Sequence, residues 1–161
     1  MARHELSIRS GLRTPRNCTF DDFYVNKRRL SDILKITDSI TPFGWLGTER
    51  VSRAELEDRF ARMLLGTASS DLRADRVPLF ICGECADYGC GATTCRVTVS
   101  DMLVEWSDFG WDNNYEDDTR RFDDLLGHHF YFDRQAYESV FRPYTINATK
   151  PAHPTAGNFP V

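Results

Sequence analysis

The sequence predicts an α+β fold: a mostly antiparallel sheet, a capped helix at about 53–65 and a C-terminal helix at about 134–142. Three observations carry this. Thr93 to Val99 and Met102 to Ser107 both alternate apolar and polar residues around Ser100-Asp101, the pattern of a β-hairpin with a two-residue loop. Ser52-x-x-Glu55 is a capping box, and Leu56, Phe60, Met63 and Leu64 follow it at helical spacing. Asp133 stands before a second such stretch, with Tyr137 and Phe141 one turn apart and Pro143 beyond them.

A chain of 161 residues fits one domain, read as 1–142, followed by an extended or disordered tail at 143–161 that carries Pro151, Pro154 and Pro160. The net charge of -4 argues against general nucleic-acid binding, which needs a surplus of Lys and Arg to displace counterions. No run approaches the roughly 20 apolar residues of a membrane span, and Met1-Ala2-Arg3-His4-Glu5 has no apolar leader segment. The expected setting is a reducing cytoplasm. There, clustered cysteines serve as metal ligands or redox groups more often than as disulfides. Asn147-Ala148-Thr149 fits a glycosylation acceptor, read as chance without secretion. Residues 81–161 hold 13 Asp+Glu against 6 Lys+Arg, an acidic half that suits a solvated face or a basic partner.

In order along the chain, Leu6 and Ile8 alternate in a strand at 5–10, and Gly11 and Pro15 mark a loop. Phe23-Tyr24-Val25 is a strand running into an Asn26-Lys27 turn, and Ser31 is placed to cap a short helix with Ile33 and Leu34. The aromatic loop Thr41 to Gly47 reads as a cover over the core edge. In the capped helix, Glu55–Arg59 and Asp58–Arg62 are acid-first pairs four residues apart, and Gly66 suits its end. Val77-Pro78-Leu79-Phe80-Ile81 is a strand with proline near its start. In the hairpin, the short loop sets Val99 opposite Met102, Val97 opposite Val104 and Cys95 opposite Trp106, which puts Cys95 in the core. Asp108 to Asp118 reads as a polar loop, Phe122 to Gly127 as a short apolar turn, and Phe130 and Phe132 as a last strand.

The chemistry concentrates in Cys82-Gly83-Glu84-Cys85-Ala86-Asp87-Tyr88-Gly89-Cys90-Gly91. A C-x-x-C turn among glycines lets two thiolates converge on one ion, and Cys90 is near enough to be a third ligand. The fourth is open: His128 or His129 returning on the last strand, or water. The rival is a redox dithiol at Cys82 and Cys85, but such motifs open a helix, whereas a strand follows here. A plant-type iron–sulfur site uses the reverse spacing. Three reduced thiols in a tight turn, with no ligand at all, is the plain alternative. Asp108-Phe109-Gly110 matches a kinase magnesium motif without its companions, and the acids from Asp112 to Asp118 miss the calcium-loop spacing. His128 and His129, being adjacent on a strand, point to opposite faces. No nucleophile-elbow motif is present.

The segments Cys82-x2-Cys85-x-Asp87-x-Gly89-Cys90-Gly91, Trp106-Ser107-Asp108-Phe109-Gly110-Trp111 with Asn114-Tyr115, and Phe130-x-Phe132-Asp133-x3-Tyr137 resemble those of a group of uncharacterised, mostly actinobacterial small proteins. The resemblance spans roughly Phe23 to Phe141. It implies that the three cysteines act as a unit and that the Cys95 position is apolar. Some members of that group are labelled oxidoreductases. Where the group has glycine, this chain has Ala86.

The expectation is a cytoplasmic, non-enzymatic binding or accessory protein. Cys82, Cys85, Cys90 and His128 would hold a structural zinc ion, and Trp111, Asn114 and Tyr115 would face a protein partner. The alternative is a thiol oxidoreductase, with Cys82 as nucleophile and Cys85 resolving.

Overall fold

Leu6–Arg13 (β1) and Thr19–Val25 (β2) pair antiparallel, Leu6 opposite Val25 and Ile8 opposite Phe23. Asn26 and Lys27 turn the chain at φ 51° and 68°, and Arg28–Arg29 (β3) returns beside Tyr24 and Val25. Positive φ at both central residues matches the twist of a tight hairpin. The computed structural model describes residues 2–13, 19–45 and 52–146. Pro15, Leu46, Gly47, Asn147-Ala148-Thr149 and the tail beyond 146 therefore lie outside the described residues.

Leu30–Ile33 (α1) is a single turn, and Ser31 does not cap it. Ser31 sits inside the turn and its hydroxyl donates to the buried Asp22 carboxylate at 2.6 Å. A buried carboxylate must be given donors, and this one draws the hydroxyl away from the helix end.

The second sheet is antiparallel throughout. Ser39–Ile40 (β4), Val77–Cys82 (β5), Ala92–Val99 (β6) and Leu103–Asp112 (β7) lie side by side in that order. The far edge of β7 carries Arg120–Arg121 (β8) and then His129–Asp133 (β9). Arg53–Leu65 (α2) starts where Ser52 Oγ accepts the Glu55 N–H, and stops at Gly66, whose φ is 76°. Its stripe of Leu56, Phe60, Met63 and Leu64 is buried. Asp58 and Arg62 pair at 2.9 Å, whereas Arg59 reaches Asp71 at 3.1 Å rather than Glu55. Arg134–Phe141 (α3) is capped by Asp133, which accepts the Ala136 N–H.

One apolar cluster joins both sheets and the helices. Trp106 is at its centre, edge-on to Phe23 at 5.6 Å and to Phe132 at 5.1 Å. Its indole N–H donates to the Tyr137 hydroxyl, which in turn donates to the Leu64 carbonyl at 2.6 Å. That chain satisfies three buried polar groups and ties β7, α3 and α2 together. Phe43 and Trp45 are buried, as a cover over the core edge requires.

Three further expectations need correction. The β6–β7 register is two residues off: Val99 pairs with Val104 and Val97 with Trp106, and Ser100 N–H bonds Leu103 O around an Asp101-Met102 loop. A shift of two leaves each residue on its expected face, so Cys95 is still fully buried. It does not lie opposite Trp106, because the register breaks there: Asp108 and Phe109 bulge between the Arg96–Ser107 and Thr94–Gly110 pairs. The second correction is that β7 continues to Asp112, where a polar loop was expected. Arg76, 1% exposed, makes this possible by pairing with Asp112 at 2.8 Å and with Asp108 at 2.9 Å. Third, the chain does not leave the fold at Pro143. Tyr144 packs its ring 4.6 Å from Phe43, and the Ile146 N–H donates to Asp58 at 2.7 Å.

Candidate metal centre

β5 delivers the chain to Cys82, which is opposite Ser39 on β4. The backbone then turns back on itself, the Ala86 N–H donating to the Cys82 carbonyl at 3.0 Å. The N–H groups of Glu84 and Cys85 donate to the Cys82 sulfur, and the Asp87 N–H points at Cys85 Sγ across 3.4 Å. Donors aimed at sulfur stabilise thiolate, the form that binds metals. Ala86 closes the turn at φ 57°. A glycine would adopt that conformation without strain; the alanine adopts it all the same.

Asp87 begins the return. Its carboxylate accepts the Gly89 N–H at 2.8 Å and opens a short 3₁₀ turn, Tyr88–Cys90. That turn swings Cys90 against Cys85, with the sulfurs 3.5 Å apart. The sulfurs of Cys82, Cys85 and Cys90 all lie within 4.8 Å of one another. Three thiolates on one tetrahedral zinc, at about 2.3 Å each, would be about 3.8 Å apart, so the group needs little adjustment to close on an ion. Cys82 is half-buried, and the other two are exposed.

Burial by itself would push the Cys82 thiol up. The N–H groups of Glu84 and Cys85, with the Cys85 and Cys90 thiols, outweigh it, and the net shift is downward. Cys90 moves the other way, to about 12, because the Cys85 thiol and then the Cys82 thiol crowd it. Charge on the Cys82 sulfur therefore opposes charge on Cys90. A cation between them removes that conflict. Cys95 stands apart: full burial raises its thiol far above the ordinary range.

Several side chains hold the turn in place. The Trp45 indole N–H donates to the Gly83 carbonyl at 3.1 Å. The Tyr88 hydroxyl donates to Asp71 at 2.7 Å, and Asp71 pairs with Arg59 on α2. Behind the turn, Trp111 packs so closely on Gly91 that a Cβ there would lie 2.0 Å from the ring. Arg120 covers the same indole at 4.9 Å. Sequence reasoning assigned none of these roles to Trp45, Tyr88 or Arg120. The pairing of a strand-end turn with a tryptophan 38 residues away leaves no periodic trace.

The structure does not bring His128 to the sulfurs. It precedes β9, one residue beyond the Ser107–His129 pair, and β9 flanks β7 on the edge away from β6. Two strand spacings, roughly 10 Å, lie between, and the cysteine turn is a further roughly 13 Å along the strands. His129 pairs with Glu105 instead. Among the described residues, the close group of metal-binding side chains is the three cysteines. Of the expected partner-facing residues, Trp111 and Asn114 adjoin the turn, next to Gly91 and Gly89 respectively. Tyr115 is 69% exposed. The neighbouring Asn113 is buried and structural, its Oδ1 accepting the Tyr115 and Glu116 N–H groups at 3.1 and 2.7 Å.

The arrangement can bind a soft or borderline cation through three sulfurs, and no helix of the described residues is long and apolar enough to cross a membrane. Compared with protein-family models, with curated proteins and with solved structures, the chain shows no match.

Proposed function

We propose that this chain is a non-enzymatic binding or accessory protein of the cytoplasm, in which Cys82, Cys85 and Cys90 hold a structural zinc ion. The observation that carries the reading is the convergence of three sulfurs within 4.8 Å on a turn whose backbone N–H groups point at two of them. The ion ties the end of β5 to the start of β6. It thereby fixes the platform on which Trp111, Asn114 and Tyr115 meet a protein partner. Zinc suits a set of thiolates that takes no part in electron transfer.

One observation favours a second reading, a thiol oxidoreductase. Cys82 has a lowered thiol pKa and lies beside two other sulfurs. Against it, Cys82 ends a strand rather than opening a helix. Elemental analysis of the purified, untagged chain, combined with thiol titration, separates the two. About one zinc per chain, with three thiols released only by a chelator, supports the structural ion. Metal-free protein with a reversible Cys82–Cys85 disulfide supports the redox reading.

A further inference from the structure

We propose that Cys85 and Cys90 form an oxidation site: a peroxide joins their sulfurs in a disulfide, and the disulfide empties the turn of its ion. Release of the ion rests on the metal reading above; the pairing of the two sulfurs does not.

Geometry selects the pair. The sulfurs of Cys85 and Cys90 are 3.5 Å apart, and both residues are exposed. A disulfide brings two sulfurs to about 2.05 Å, so a small movement closes the bond. Asp87 braces the loop between them. Its carboxylate accepts the Gly89 N–H at 2.8 Å, and its carbonyl accepts the Cys90 N–H at 3.1 Å. Cys82 lies within 4.8 Å of both sulfurs but is placed differently. It ends β5, pairs with Ser39 on β4, and is half-buried. Cys95 is fully buried. A peroxide arriving from solvent therefore meets Cys85 and Cys90 first.

The chemistry balances with hydrogen peroxide as the oxidant. One exposed thiolate attacks a peroxide oxygen; an S–O bond forms, the O–O bond breaks, and the departing hydroxide takes a proton to become water. The second thiolate attacks that sulfur; the S–S bond forms, the S–O bond breaks, and a second hydroxide is protonated. Each sulfur gives up one electron, and the peroxide takes both. The ion changes no oxidation state. It loses two of its three thiolates, and a disulfide sulfur lacks the charge that binds a metal. A thiol reductant reverses the step by exchange.

The test treats the full chain with one equivalent of hydrogen peroxide, once loaded with zinc and once stripped by a chelator. Free thiols are blocked with one alkylating label. The disulfide is then reduced, and the thiols it held take a second label, which tandem mass spectrometry places. Zinc release is followed with a chromophoric chelator. The second label is expected on Cys85 and Cys90 in both samples. Zinc should leave in step with the loss of two thiols and bind again after reduction. Cys82→Ser should form the same disulfide, and Cys85→Ser should lose it. A second label on Cys18, Cys82 or Cys95 overturns the pairing, as does oxidation to sulfinic acid with no disulfide. Zinc retained by the disulfide form overturns the release. A chain that takes up no zinc before oxidation sinks the metal reading alone, and the stripped sample still decides the pair.

Discussion

Gly91 has a φ of 91°, and a methyl group added there would lie 2.0 Å from the Trp111 ring. The Trp111 ring or the backbone at Gly91 must shift to admit it. Gly91→Ala is therefore expected to cost about 2–4 kcal/mol. Gly127 has a similar φ of 75° but open space around it, so Gly127→Ala should cost only about 1–2 kcal/mol. Urea melts of the two variants check this, and equal losses would show that the Trp111 contact is unimportant. Ala86 bears the same strain at φ 57° inside the turn. Ala86→Gly is expected to tighten metal binding by up to about tenfold, measured by competition with a chromophoric chelator; weaker binding would contradict the turn geometry described above. The cysteine spacing was legible in the sequence because C-x-x-C with nearby glycine is a local pattern. The αL alanine was not, since only the whole turn compels it.

At the scale of elements, β7 depends on a charge buried beneath it. Arg76 donates to Asp112, Asp108 and the Thr94 hydroxyl, all from a 1% exposed side chain. The Arg121 and Arg76 guanidiniums hold the Asp108 carboxyl below the usual carboxylate range. Arg76→Met leaves the buried Asp112 without its ionic partner, while Asp108 keeps Arg121, and should cost about 3–5 kcal/mol; a loss below 1 kcal/mol, read from a denaturant melt, would mean the bulge stands without it. Asp22 has the opposite sign. Burial raises its pKa from 3.8 to about 6, against the Ser31 hydroxyl and Phe23 N–H that favour the anion. Folding therefore favours the protonated form. The resulting stability is full below the unfolded value, declines as pH rises through about 6, and is smaller by about 3 kcal/mol above that. Asp22→Asn, which keeps both hydrogen bonds available, should melt higher than the wild type at pH 8 and near it at pH 4. A pH-independent difference would contradict the account. The helices were readable from caps and spacing, and so was the hairpin as an element. Its register was not, because Ser100-Asp101 and Asp101-Met102 both satisfy the alternation, and the bulge at Asp108 answers to Arg76, far away in sequence.

For the whole molecule, the aromatic core stands without the metal. Trp106, Phe23, Phe132 and Tyr137 interlock through ring contacts that include no residue of the cysteine turn. Removing the proposed zinc ion with a chelator should lower the melting temperature by several degrees and deprotect amides at 82–91 in hydrogen exchange, with the amides of β9 and α3 unchanged. Global unfolding on chelation would instead make the ion the source of the fold. The α+β class was legible because alternation and capping repeat along the chain. The fourth ligand was not, since sheet order decides which histidine can reach the turn, and β7 lies between His128 and the sulfurs. The convergence of three sulfurs on one ion is tested most directly by zinc-edge X-ray absorption on the purified full chain. The account predicts a shell of three sulfurs at about 2.3 Å and one lighter atom at about 2.0–2.1 Å. A shell without sulfur, or protein that purifies free of any metal, would contradict it.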